Sequence, residues 1–167
     1  MKRLRWTERR FNFDYPPGMF PFLVERLRGT APRIADLAAG LDGTLLTRQL
    51  NGRWSIQEHI GHLIDLEELH DGRIDDYLNG APVLRAADME NKKTYAARHN
   101  EQDLAGLLST FKKVRSHFIS RLEKLDPERS ALHPRLQQPM RVVDLAYFVA
   151  EHDDWHLTLM REESLRQ

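Results

Sequence analysis

Residues 51–80 read NGRWSIQEHIGHLIDLEELHDGRIDDYLNG, and this stretch decides the fold class. Asn51-Gly52 closes a turn. Ser55-Ile56-Gln57-Glu58 then has the form of a capping box, in which the Ser hydroxyl and the Glu carboxylate each satisfy an amide that the first helical turn leaves without a partner. Asn79-Gly80 supplies the left-handed turn on which helices commonly end. A helix from Ser55 to about Leu78 is therefore expected.

Working outward, Ala81 to His99 shows no sustained period and reads as a long connection, of a length that usually serves a function. Asn100 is expected to cap a further long helix with Leu104, Leu107, Leu108, Phe111, Val114, Phe118, Ile119, Leu122 and Leu125 on its apolar face, until Asp126-Pro127 stops it. His133-Pro134 to Pro139 reads as a loop. A last helix carries Val142, Val143, Leu145, Ala146, Phe148, Val149, Leu157, Leu159 and Met160 to about Glu163.

Upstream, apolar residues recur at helical spacing from Met19 to about Leu46, interrupted by Gly29 and Pro32. Pro32 would cost an interior helix about 3 kcal/mol but nothing in a first turn, so the segment reads as kinked or as two helices, the second capped by Thr30. Residues 1–18, with Trp6, Phe11, Phe13 and Tyr15 ahead of Pro16-Pro17-Gly18, are expected to lie extended as a strap. No alternating strand pattern is visible. The expected fold is all-α: one domain over 1–167, a four-helix bundle with an N-terminal extended strap and long inter-helix loops.

The 167 residues are 41% hydrophobic and 30% charged, near the globular average, which excludes a disordered or collagen-like chain. Lys plus Arg (25) balances Asp plus Glu (25), leaving no basic excess for a phosphate backbone, so no nucleic-acid partner is expected. No run of about 18 uncharged apolar residues is present, and no apolar core follows the basic start, so neither membrane insertion nor secretion is expected. Cysteine is absent, which excludes disulfides, thiolate ligands and a cysteine nucleophile, and fits a cytoplasmic protein.

The eight histidines carry most of the chemistry the sequence offers. Steps of three and four from Leu145 reach Val149, His152, His156 and Leu159, so two imidazoles one turn apart fall on the stripe that otherwise faces the core. At i and i+4, about 6 Å apart along the axis, both can ligate one ion. A pair of core histidines bonded to backbone or carboxylates is the plainer reading of a bare H-x-x-x-H. On the Ser55–Leu78 helix, His62 aligns with Leu66 and Leu69 while His59 aligns with Leu63, Leu66 and His70, and periodicity alone does not choose between them. Gly61, beside His62, implies close approach of another helix.

The segments Trp54-Ser55-Ile56-Gln57-Glu58-His59-Ile60-Gly61-His62-Leu63 and Ala150-Glu151-His152-Asp153-Asp154-Trp155-His156-Leu157 resemble those of the DinB-like (DinB/YfiT) superfamily of metal-dependent helical-bundle proteins. The resemblance spans about Phe20 to Arg161. It implies a three-histidine site made of His62, His152 and His156, with Trp155 standing where relatives often have another His. It also implies relatives among thiol-dependent transferases and isomerases that work with bacillithiol, mycothiol or glutathione.

Three neutral imidazoles would leave a divalent transition metal such as Zn2+ or Ni2+ open positions, the arrangement of catalytic rather than closed structural sites. Such an ion lowers the pKa of a bound water toward about 7 or holds a thiol as thiolate, and without cysteine that thiol must be an external low-molecular-weight one. A metal-dependent hydrolase or thiol-dependent transferase with a small-molecule substrate is the functional expectation. The alternatives are a dinuclear carboxylate centre built around Glu67 and His70 with Asp153 and His156, for which Glu25 and Glu123 are poorly placed further carboxylates, and a non-catalytic bundle binding metal, a small molecule or a partner. Glu58, Asp65, Glu151 and Asp153 are candidates to orient the ligands. Trp54, Tyr95, Tyr147, Phe148 and Trp155 are candidate pocket walls. Arg85, Lys92, Lys93 and Arg98 read as a solvated loop. The broad apolar helix faces make a homodimer plausible.

Overall fold

A computed structural model describes residues 3–165; the two residues at each end of the expected 1–167 domain, among them the first two of the strap, lie outside it. The first bundle helix is broken into α1 (Phe20–Arg28) and α2 (Thr30–Ala38), and Pro32 sits harmlessly in the first turn of α2. Thr30 does not cap α2. Its hydroxyl instead donates to Asp153 across the bundle. A short α3 (Gly43–Thr47) leads to α4 (Ile56–Leu78), whose capping box is formed as expected: Glu58 N–H donates to Ser55 Oγ at 3.1 Å, and Ser55 N–H to Glu58 Oε2 at 2.8 Å. Gly80, at φ +66, ends it.

The long connection holds α5 (Lys92–Ala96) and a 3-10 turn, His99–Glu101. The next helix, α6 (Leu104–Leu122), is capped by Asp103, not Asn100, and stops three residues short of Leu125. The segment around His133 is not a simple loop: β1 (Ser130–His133) and β2 (Gln138–Arg141) pair antiparallel, with Ala131 opposite Met140. This hairpin also grips the long connection through backbone bonds from Leu84 N–H to Leu132 and from Leu132 N–H to Pro82, both at 2.9 Å. The last helix, α7 (Val142–Ser164), follows directly.

The α1/α2 pair, α4, α6 and α7 make the four-helix bundle, with α4 packed on α6 and α1 on α7. Its interior divides in two. One apolar cluster joins α1 to the C-terminal half of α6, the N-terminal half of α7 and the hairpin, around Leu27, Phe118 and Val149. The other joins α2, α3 and the starts of α4 and α6, around Ile34, Ile60 and Phe111. Buried polar groups cross the bundle as well. Arg115 of α6 is 2% exposed and donates to Glu67 of α4 (2.9 Å from Nε) and, through both terminal nitrogens, to Asp153 of α7, which also accepts from Thr30. Burial works against the Arg115 charge, but Asp153 and Glu67 outweigh it and raise its pKa. These bonds fix the rotation of α4 and α7, and so decide which of their side chains face the cavity beside the bundle core.

The strap contains a 3-10 turn at Trp6–Glu8 and lies along α7. Arg9 pairs with Glu151, Phe11 and Phe13 pack on Phe148, Tyr15 packs on Tyr147, and Arg141 donates to the Tyr15 carbonyl at 2.9 Å. No helix among the described residues is long and apolar enough to cross a membrane.

Candidate metal centre

With Asp153 turned inward to Arg115, the neighbouring His152 and, one turn on, His156 face a cavity of about 720 Å³ between α4, α7, the strap and the loops. From α4, Glu67 likewise faces Arg115 while His59, His62 and His70 line the cavity. His62, His152 and His156 meet there, one ring nitrogen of each lying within 4.8 Å of the others, and all three are buried. His59 stands beside them, Nδ1 to Nδ1 at 2.9 Å from His156. Tertiary packing thus separates two histidines that helical periodicity could not.

Burial, and next the Arg3 charge, pushes His59 down to about 4. Burial, with neighbouring imidazoles adding to it, pushes His62 to about 3 and His152 and His156 well below their ordinary value. All four are neutral at pH 7, so each ring keeps one nitrogen lone pair, and the His59–His156 contact engages one of the four.

The arrangement suits a divalent ion on its own chemistry. His152 and His156 bring their Nε2 atoms to 3.2 Å, close to the roughly 3.3 Å separating adjacent ligands about 2.0–2.1 Å from a tetrahedral ion. Nδ1 of His152 is buried with no hydrogen-bond partner, and Nε2 meets only the His156 ring, so no carboxylate or backbone group orients this imidazole. His62 is oriented by a relay: its Nδ1 lies 3.0 Å from Thr94 Oγ1, and that hydroxyl donates to Asp65 Oδ2 at 2.9 Å, which puts the proton on Nδ1 and the lone pair on Nε2. Asp65 also bonds His99 Nε2 at 2.9 Å.

Of the four carboxylates considered as orienting groups, Asp65 alone reaches a site histidine, through Thr94. Glu58 belongs to the cap, Glu151 pairs with Arg9 and Arg26, and Asp153 pairs with Arg115. Thr94 and His99 come from the long connection, where no local pattern marks them. Gly61 is indeed a point of close approach, but to the His99 ring and not to another long helix; a Cβ at 61 would lie 2.1 Å from Cγ of that ring.

Trp54 stacks over His156 and lies 4.6 Å from the His62 ring, and Trp6 meets His152 edge-on at 4.7 Å. Trp54, Tyr95, Phe148 and Trp155 line the cavity, as does Trp6 of the strap, whereas Tyr147 packs on Tyr15 and Phe11 outside it. The connection's cations are held by surface acids: Arg85 by Asp76, Lys92 by Glu90, Lys93 by Glu68 and Arg98 by Glu101. A dinuclear carboxylate centre has no place here. The Arg115 guanidinium already occupies the position between Glu67 and Asp153, and Glu25 and Glu123 sit at the surface with Arg28.

The family model of the DinB superfamily matches residues 12–160, nearly the whole chain. The chain belongs to the DinB superfamily. Among solved structures, this DinB protein is similar to YfiT from Bacillus subtilis, described as a probable metal-dependent hydrolase with an unusual four-helix bundle topology. The TM-score is 0.78 at 16% identity, covering 93% of this chain and 91% of that one, which establishes a shared fold. No curated protein matches the sequence.

Proposed function

We propose that this DinB protein is a metal-dependent enzyme acting on a small molecule, with His62, His152 and His156 as the ligands of Zn2+ or Ni2+, and that its reaction is a hydrolysis or the transfer of an external thiol. The observation that carries this reading is the convergence of three buried, neutral imidazoles, remote in sequence, at the wall of a cavity of substrate size. The description of YfiT agrees with it. A bound ion would supply Lewis acidity at that wall.

The chain's own groups prepare the place. The Thr94–Asp65 relay keeps the His62 proton on Nδ1, away from the cavity. If His156 ligates through Nε2, its Nδ1–H is the donor to His59 Nδ1 at 2.9 Å, and its lone pair stands beside that of His152 Nε2. Trp54 and Trp6 cover the rings and limit water to the cavity side. With no cysteine in the chain, a thiol nucleophile would have to enter from solvent.

The test is metal content of protein purified without a histidine tag, followed by zinc titration of His62→Ala, His152→Ala and His156→Ala. About one ion per chain is expected, and each variant should bind it far more weakly. No stoichiometric metal after reconstitution, or undiminished affinity in all three variants, would reject the assignment. Metal binding without turnover across panels of esters, amides and thiol-plus-electrophile pairs would leave a non-catalytic metal protein.

A further inference from the structure

The far end of the cavity holds a second feature that the three histidines do not explain. On α4 the residues His62, Leu66, Leu69 and Arg73 follow one another at steps of four, three and four, so they form one stripe, and all four line the cavity. Arg73 lies eleven residues beyond His62, roughly 16 Å along the helix axis. Arg73 is 2% exposed, and among the described residues no carboxylate forms an ion pair with it: Asp76 acts on it only from a distance and is itself paired with Arg85. Nε and Nη2 donate to the Arg85 carbonyl at 3.2 Å, and Nη1 makes no hydrogen bond within the described residues. Burial pushes the Arg73 pKa down to about 10, still far above neutrality, so the group stays charged. Buried charges are ordinarily paired, and this one faces a cavity instead.

His133 makes the point sharper. Its Nδ1 accepts the Leu136 backbone N–H at 3.1 Å, so the neutral ring carries its proton on Nε2. That Nε2 lies 3.5 Å from Arg73 Nη2. Two donors therefore face one another across a gap that neither can fill. Arg135, exposed on the hairpin turn and without an acidic partner among the described residues, adds a second positive charge at the same rim. The cavity's other cations are committed: Arg5 to Glu8, Arg3 to Glu162 and Arg53 to Glu163.

We propose that Arg73 and His133, with Arg135 at the rim, form an oxyanion subsite that holds the acidic head, carboxylate or phosphate monoester, of an elongated substrate whose reacting group lies at the three-histidine end. This rests on the functional reading above only for where the reaction occurs. Leu66, Leu69 and Phe148 line the cavity along with both ends, so the connecting part of the ligand is apolar. The guanidinium fork and an imidazole N–H match the lone pairs of a carboxylate or phosphate and give nothing to a neutral alcohol.

The experiment is calorimetric titration of the full chain, metal-free and zinc-loaded, with hexanoate, hexyl phosphate and hexan-1-ol. At least one anion should bind one per chain, at least tenfold tighter than the alcohol, and the tighter anion identifies the head group. Arg73→Gln should lower anion affinity at least tenfold while leaving the alcohol and zinc affinities unchanged. Should Arg73→Gln fail to fold, the surface variant Arg135→Gln is expected to weaken the anion severalfold. Alcohol binding as tight as both anions, or anion binding indifferent to Arg73→Gln (to Arg135→Gln if the first variant does not fold), overturns the subsite. Because the metal-free protein is titrated, a failure of the metal assignment leaves this result standing, and the converse also holds.

Discussion

Replacing Arg115 with Met removes the one cation shared by Glu67 and Asp153 and leaves two buried carboxylates facing each other. Methionine fills a similar volume, so the dominant effect is electrostatic. Breaking a buried pair from one side typically costs about 3–5 kcal/mol, against a total stability of about 5–15 kcal/mol for a domain. At about 2–4 °C per kcal/mol for a chain of this size, the melting temperature should drop by roughly 6–20 °C. Urea denaturation at pH 7, with a slope of about 2 kcal/mol per molar, should show a midpoint lower by roughly 2 M.

The pH dependence carries a sign that simple loss of packing does not. In the wild type, burial opposes the Glu67 charge, but Arg115 and His70 hold its carboxyl below the ordinary value. That stabilisation is complete above the unfolded pKa near 4.3 and fades as pH falls through the folded value. Without Arg115 only His70 still opposes burial, which now dominates and raises the folded pKa, so the penalty is complete at neutral pH and fades as the carboxyl protonates. The stability gap between wild type and Arg115→Met should narrow from pH 7 to pH 4.5, and adding Glu67→Gln with Asp153→Asn should recover part of the loss at pH 7. A deficit below about 1 kcal/mol at pH 7, or a gap that does not change with pH, would refute the reasoning.

Thr94→Val removes the hydroxyl between His62 and Asp65 and should weaken zinc binding about 10- to 100-fold in a competition titration, with Thr94→Ser restoring it; equal affinity for the Val variant would deny the relay. His59, His62, His152 and His156 have folded pKa values below the unfolded one near 6.5, so their neutral burial contributes fully above pH 6.5 and is lost as pH falls toward about 4 for His59 and about 3 for His62. Metal-free protein should lose stability by up to about 1.4 kcal/mol per pH unit for each ring, and a flat urea midpoint between pH 6.5 and 5 would contradict it. Gly61→Ala should gain about 1 kcal/mol from helix propensity alone, yet the His99 ring occupies that space, so a lower melting temperature is expected; a higher one would place His99 elsewhere.

The α4 boundaries were legible because the capping box and the terminal Asn-Gly are local chemistry, written in adjacent residues. The broken first helix followed from Pro32 for the same reason. The hairpin was not legible: two four-residue strands, one containing Pro139, are too short to establish a period. Asn100 is the expected cap of α6, but it lies within the 3-10 turn His99–Glu101, and the helix starts only after Asp103. The His152 and His156 pair is marked by stripe position and His62 by resemblance, whereas the convergence of the three comes only from the packing of α7 against α4. Arg115 sits close to Lys112 and Lys113 in a run of cations that reads as solvated, although its spacing from Phe111, Phe118 and Leu122 puts it on the buried stripe. That spacing was the available signal. Thr94, His99 and His133 act from a five-residue helix, a 3-10 turn and a four-residue strand, all too short for a periodicity to point at them.

Arg3, Arg5, Trp6 and Thr7 all border the same opening as His62, His152 and His156. A polyhistidine purification tag fused ahead of residue 1 would therefore dangle its own imidazoles within reach of the place where metal is to be counted, donating competing ligands and inflating stoichiometries. The other terminus offers no refuge, since Glu163 lines the same cavity and Glu162 pairs with Arg3, so a tag at either end has to be cleaved away or the apparent metal preference will be that of the tag.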